Sequence, residues 1–271
     1  MSDPVPGDGN ASTLSWTLGG FAAGIDRRVL PDVLVGVALG TTAGSQSVDS
    51  FVGPSSVTAF QASLYASFTP GDSYLDVLAG YGYSDNQLTR TLMIPGLATR
   101  LARGRTGANQ LFAQVEAGHR FELDAATAAG LVPYLRFQAA SIAMNGFSEW
   151  GADSLDLTAT PWTTTSVRSI VGLQAEAALP IGLAGPLGIQ FRVGWVHEYA
   201  DTARPFGAAL AGAPSNPFVV YGAQALRDSI ALGLGLDTRL AANVNAYLRY
   251  DGSIAQGSDA HALNLGLRIR W

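Results

Sequence analysis

Apolar and polar residues alternate along most of this chain with a period of two, the spacing of an extended strand whose side chains point to opposite faces. The last ten residues, Ala262 to Trp271, carry the pattern plainly: Leu263, Leu265, Leu267, Ile269 and Trp271 fall on one side, and Asn264, Gly266, Arg268 and Arg270 on the other. Ten earlier segments alternate in the same way, with apolar sets that begin at Phe21, Val33, Phe60, Leu75, Leu111, Leu135, Val167, Ile189, Ile230 and Val244. Tight turns such as Thr69-Pro70-Gly71-Asp72 and Pro180 to Pro186 take turns with longer polar stretches. Those stretches run up to Ser56, from Asp85 to Ala108, from Asn145 to Thr163, from Asp201 to Gln224 and from Ser253 to His261, and each reads as a long loop.

Short and long connections in alternation, joining strands of about ten residues, are the signature of an all-β, antiparallel, up-and-down transmembrane β-barrel. About eleven strands are recognisable. The barrel is expected to occupy residues 13–271, with residues 1–12, of loop composition, as a linker or the remnant of a first extracellular loop.

Composition sharpens this. Hydrophobic residues make up 48% and charged residues 14%, far fewer charges than the roughly 25% of a soluble domain, yet no apolar run approaches the ~20 residues of a spanning helix. The excess apolar surface is spread over short strands. A soluble lipocalin-like barrel or sandwich would turn the apolar face inward, but has no need of alternating short and long connections. Cysteine is absent, which excludes disulfides and thiolate metal sites. Every basic residue is an arginine, the net charge is -5, and no basic stripe accumulates, so nucleic acid is not an expected partner. No cofactor is implied.

The polar face carries both signs of charge: Glu116, Arg120, Arg136, Arg168, Glu176, Arg192, Asp237, Arg249, Arg268 and Arg270. An arginine on the lipid side costs ~2–4 kcal/mol near the midplane, so this face is expected to line a wet lumen. With short turns on the periplasmic side, Phe68, Phe121 and Trp271 fall at the inner interface, and Phe60, Tyr81, Tyr83, Trp195 and Tyr250 near the outer one. Amphipathic rings favour both levels.

Catalytic constellations are thin. His197, Glu198, Asp201 and His261 fall near the extracellular rim, where a rim-active hydrolase would need them, but read more simply as interfacial and rim residues. Three scattered histidines lack metal-ligand spacing, and no nucleophile elbow is present. Catalytic, cofactor and metal residues are therefore expected to be absent.

Several stretches resemble those of one family, the translocator β-domain of classical (type V) autotransporters. They are Gly19-Gly20-Phe21-Ala22-Ala23-Gly24-Ile25-Asp26, Val35-Gly36-Val37-Ala38-Leu39-Gly40, Ser73-Tyr74-Leu75-Asp76, Gly146-Phe147-Ser148-Glu149, Trp195-Val196-His197-Glu198 and Tyr250-Asp251-Gly252. The ending Asn264, Gly266, Ile269, Trp271 is similar to the assembly signal of outer-membrane proteins. The resemblance implies an outer-membrane barrel of a Gram-negative bacterium that carries or anchors a passenger segment at the cell surface. Its implied partners are outer-membrane lipid, the barrel assembly machinery and that passenger; a porin-like diffusion channel is the alternative. Some family members cleave the passenger with lumenal carboxylates, and Glu116, Glu149 and Glu176 stand at inward or rim positions, but no catalytic role is assigned to them. Family barrels have twelve strands. The missing one is expected before Gly7, or from residues 205–222.

Overall fold

The computed structural model describes residues 14–48, 52–181, 184–222, 226–256 and 258–271; the expected boundary at residues 12 and 13 lies outside the described residues. In chain order the strands are β1 (Leu14–Leu30), β2 (Val33–Val48), β3 (Val52–Phe68), β4 (Ser73–Leu92), β5 (Arg100–His119), β6 (Phe121–Asp124), β7 (Ala129–Met144), β8 (Phe147–Ser148), β9 (Leu157–Ala159), β10 (Trp162–Leu179), β11 (Leu187–Glu198), β12 (Pro205–Leu210), β13 (Phe218–Tyr221), β14 (Asp228–Ala241), β15 (Val244–Ala255) and β16 (Ser258–Ile269). A single 3-10 turn at Asp153–Leu155 is the one helical element among the described residues.

Every pairing is antiparallel, and the main sheet follows the order β1-β2-β3-β4-β5-β7-β10-β11-β14-β15-β16. The short β6 continues β5 past Arg120 in the same register against β7: Gly118 faces Tyr134 and Phe121 faces Leu131. Among the described residues eleven long strands therefore form the wall. A second, small sheet of order β13-β12-β9-β8 lies at the outer ends. Residues 205–222 belong to it, which corrects the expectation that they supply a further spanning strand. Uncharged and only four to six residues per strand, that hairpin is too short for the nine to eleven residues a crossing needs.

The sheet curls. Arg192 of β11 and Glu116 of β5 are ion-paired across the two strands between them. Arg268 of β16 acts electrostatically on Tyr65 of β3, although a flat sheet would hold those strands about 38 Å apart at ~4.8 Å per strand. Curling brings the two edge strands, β1 and β16, round toward one another.

Paired strand extends far into three of the polar stretches expected to be loops. β2 and β3 remain paired out to Val48 and Val52, β4 and β5 to Leu92 and Arg100, and β15 and β16 to Ala255 and Ser258. β4 and β5 are 20 residues each, about twice a crossing, so their outer halves stand clear of the bilayer. There no hydrocarbon meets the convex face, so the apolar–polar alternation of the sequence is lost while the backbone ladder continues. The inward face of β5, with Ala102, Gly104, Thr106 and Ala108, is buried instead, Gly104 against the Phe147 ring.

The convex face is apolar and bare: Phe21, Leu39, Phe60, Leu64, Leu111, Leu263 and Leu267 are all strongly exposed, and Leu265 is 80% exposed. Hydrocarbon is the solvent such a surface suits. Leu265→Arg is accordingly expected to destabilise the domain in lipid vesicles by about 2–4 kcal/mol in a urea titration. Asn264→Asp, which puts a charge on the opposite face beside Arg249, is expected to cost under about 1 kcal/mol; equal losses would contradict the orientation.

Candidate functional site

The concave face is polar, and its centre is one carboxylate. Glu116 on β5 is 5% exposed. Arg136 Nε and Arg192 Nη2 donate to its two oxygens, and the Tyr74 hydroxyl donates to Oε1 at 2.7 Å. The Arg192 guanidinium lies 4.3 Å from the centroid of the Tyr134 ring, a cation–π contact. Both tyrosines are seated over glycines of neighbouring strands, Tyr74 over Gly118 and Tyr134 over Gly172, where any Cβ would overlap the ring. These glycines serve as seats for rings that carry polar groups into the lumen.

Other polar pairs lie above and below. Toward the short turns, Arg120 Nε meets Glu176 Oε1 at 2.6 Å, and Gln174 donates to Oε2 at 2.7 Å. At mid-height Gln138 donates to Gln114 at 2.8 Å. Toward the outer end Glu198 accepts from the Ser166 hydroxyl at 2.5 Å and from the Val167 and Ala200 amides at 2.7 and 3.0 Å, with Arg168 at 3.9 Å. Asp237 lies against Gly188 on the same face. Arg249 leans on the Tyr247 ring, 6.0 Å from its centroid. Arg268 is opposite Asn245, and the Arg270 amide donates to Asn243.

Beyond the membrane, Arg90 of β4 pairs with Glu149 at 2.5 Å and donates to the Leu155 carbonyl at 2.8 Å. Arg103 and Trp150 exchange two backbone hydrogen bonds of 2.9 Å. The connection between β7 and β10 is thereby strapped to the outer half of β5. At the other end Asp124, the last residue of β6 before a short turn, accepts from the Ala126 amide and the Thr127 hydroxyl. Those bonds, the hydroxyl foremost, hold its carboxyl below the usual carboxylate range, so they favour the turn above that range and cease to do so as pH falls through the lowered value.

The expected interface aromatics all stand on the convex side. Phe60 and Phe68 are eight residues apart on β3, about 26 Å along the strand and about 19 Å along the normal at a tilt of ~45°. Phe121 and Trp271 lie at the level of Phe68, near the short turns; Tyr81, Tyr83, Trp195 and Tyr250 lie at the other end. Trp195 donates to Asp228 at 3.0 Å, and the Tyr250 hydroxyl bonds His261 Nδ1 at 2.7 Å. Of the four residues whose pattern is similar to an assembly signal, Asn264 and Gly266 face the concave side, Gly266 beneath the Tyr247 ring, while Ile269 and Trp271 face outward and are exposed.

The four rim residues weighed for hydrolysis are not brought together. His197 points outward to Asp228 at 2.9 Å, whereas Glu198, one residue on, points into the lumen. Asp201 caps the Ala203 amide, and His261 pairs with Asp259 at 2.6 Å. Ser169, His197 and Asp228 do lie in one row across β10, β11 and β14, a juxtaposition that sequence spacing could not reveal. However, Ser169 is 5% exposed and its hydroxyl bonds Tyr199 at 2.9 Å. The adjoining amides belong to interior ladders, so none is available to stabilise an oxyanion. Among the described residues no cluster of metal-ligating side chains occurs.

A model of the autotransporter beta-domain family matches residues 5–251. The chain belongs to this family. Among solved structures, this autotransporter β-domain is similar to the translocator domain of autotransporter NalP from Neisseria meningitidis, with 15% identity, 100% of this chain and 84% of that chain covered, and a TM-score of 0.76. It is also similar to the beta domain of the Bordetella autotransporter BrkA (19% identity, 97% and 94% covered, TM-score 0.62) and to the transport unit of autotransporter AIDA-I from Escherichia coli (10% identity, 100% and 87% covered, TM-score 0.60). At such identities the likeness is one of fold. No curated protein matches the sequence. The protein is thus an outer-membrane translocator domain of a Gram-negative bacterium, and its antiparallel curled sheet is the wall of that translocator.

Proposed function

We propose that the concave face of this wall carries a passenger segment, attached before residue 1, across the outer membrane and then anchors it at the surface, without bond-breaking chemistry of its own. The observation that supports this reading is the inversion of polarity, with a bare apolar convex face and a charged, hydrogen-bonded concave one. Each lumenal or rim acid considered for cleavage is engaged by arginine, Glu116 by Arg136 and Arg192, Glu149 by Arg90 and Glu176 by Arg120, which suits a rigid hydrated wall better than a general base. At the outer mouth β13 presents Phe218, Val219, Val220 and Tyr221, all exposed, on an uncharged sheet edge. An emerging extended segment can pair with such an edge.

Insertion is assigned to the barrel assembly machinery, reading Asn264, Gly266, Ile269 and Trp271, with outer-membrane lipid around the convex face. In this reading the first twelve residues are a linker or the remnant of a first extracellular loop, and residues 13–271 the translocator domain. The test is an epitope placed before residue 1. It is expected to become protease-sensitive on intact cells once the chain is inserted; an inserted chain whose epitope stays sheltered, and which conducts ions in planar bilayers, would replace this reading with the diffusion channel.

A further inference from the structure

The outer end of the concave face contains a cavity of about 340 Å³. Three arginines from three segments line it: Arg168 of β10, Arg204 just before β12 and Arg227 just before β14. The one carboxylate in the lining, Glu198, is already engaged by the Ser166 hydroxyl and the Val167 and Ala200 amides. Its nearest approach to Arg168 is 3.9 Å, and Arg168 Nε has no hydrogen-bond partner. Arg227 uses one N–H on the Glu198 carbonyl at 3.2 Å. The Arg204 side chain makes no ion pair or hydrogen bond among the described residues.

Within the lining, three guanidinium charges less one carboxylate leave two positive charges, with Asp228, outside the lining, acting electrostatically on Arg227. Each guanidinium carries five N–H donors in a planar fork that matches an oxyanion. Like charges converging in a partly enclosed space repel one another, and an anion between them converts that repulsion into attraction. Thr164 and Ser229, also in the lining, add hydroxyl donors.

We propose that this cavity is an oxyanion-binding site, for a carboxylate or a phosphate, held chiefly by Arg168, Arg204 and Arg227. It requires only the cavity, and so stands independently of passenger transport. Two sources supply this chemistry: the acidic side chain of a polypeptide in the lumen, or free inorganic phosphate.

Isothermal titration of the detergent-solubilised protein at low ionic strength distinguishes them, with sodium phosphate in one arm and acetyl-Gly-Asp-Gly-amide against its Asn counterpart in the other. Saturable binding of phosphate alone assigns the free anion; binding of the Asp peptide over the Asn peptide assigns the polypeptide carboxylate. In either case Arg204→Gln, which removes no hydrogen bond of the fold, is expected to weaken binding at least about tenfold. Arg105→Gln, on the convex face beside Asp85, is expected to leave it unchanged. No saturable binding in either arm, or equal binding by wild type and the Arg168→Gln, Arg204→Gln double variant, would overturn the proposal.

Discussion

Replacing Glu116 by alanine is expected to lower the stability of the folded domain by about 3–5 kcal/mol, the usual consequence of removing one partner of a buried ion pair. The carboxylate neutralises two guanidinium groups at once, Arg136 and Arg192, and also accepts from Tyr74. Its side chain is 6% exposed, and those of the arginines 22% and 23%. Water in the lumen screens part of the repulsion left behind, which favours the lower end of that range. Two cations that share one seat cannot both turn to solvent, however, because Arg192 is also packed on the Tyr134 ring. Urea unfolding in lipid vesicles, followed by tryptophan fluorescence, measures the loss. The combined Glu116→Leu, Arg136→Met, Arg192→Met variant is expected to regain most of it, since no charge is then stranded. A loss below about 0.5 kcal/mol, the range of ordinary surface substitutions, would mean that the three side chains are independently hydrated.

Which faces meet lipid and which the lumen was legible from the period of two. Leu263, Leu265 and Leu267 identify the convex side of β16 because a strand has only two sides, and one side of this barrel has hydrocarbon as its solvent. By the same parity Glu116, Arg136 and Arg192 share one face. That they share one carboxylate follows from the curl of the sheet, which no local pattern encodes. Tyr74 and Tyr134 were hidden for a related reason: a tyrosine at a lumenal position reads as a lapse in alternation unless the glycine it covers, Gly118 or Gly172, is known to be its neighbour. The signal was a ring and a glycine at the same parity on adjacent strands, and it needs the register before it can be used. Outside the bilayer the apolar–polar parity no longer marks the faces. The outward side of β5 there carries Arg103 and Arg105 and its buried inward side only the small Ala102, Gly104, Thr106 and Ala108, while Arg204 and Arg227 lie in separate segments that only the fold brings to one cavity.

Deleting Trp271 is expected to separate two roles that the sequence assigns to the same residue. The side chain is 89% exposed, β16 ends two residues earlier at Ile269, and the last backbone bond of the chain is from the Arg270 amide to Asn243. Little of the fold rests on it. In detergent the truncated domain is therefore expected to unfold within about 0.5 kcal/mol of the full chain. In cells its yield in the outer membrane is expected to fall at least about tenfold, because an assembly factor that loses an interaction of only ~1.4 kcal/mol loses that factor in binding. Trp271→Phe, which keeps a terminal ring, is expected to restore most of the yield, whereas Trp271→Ala is not. A simple interfacial anchor makes a different set of predictions: cellular yield would then follow stability measured in vesicles, and the deletion would act equally on refolding into pure lipid, where no assembly machinery is present. Recovery of the deletion variant by spontaneous insertion into vesicles, together with its loss from cells, assigns Trp271 to recognition; parallel losses in both settings assign it to anchoring.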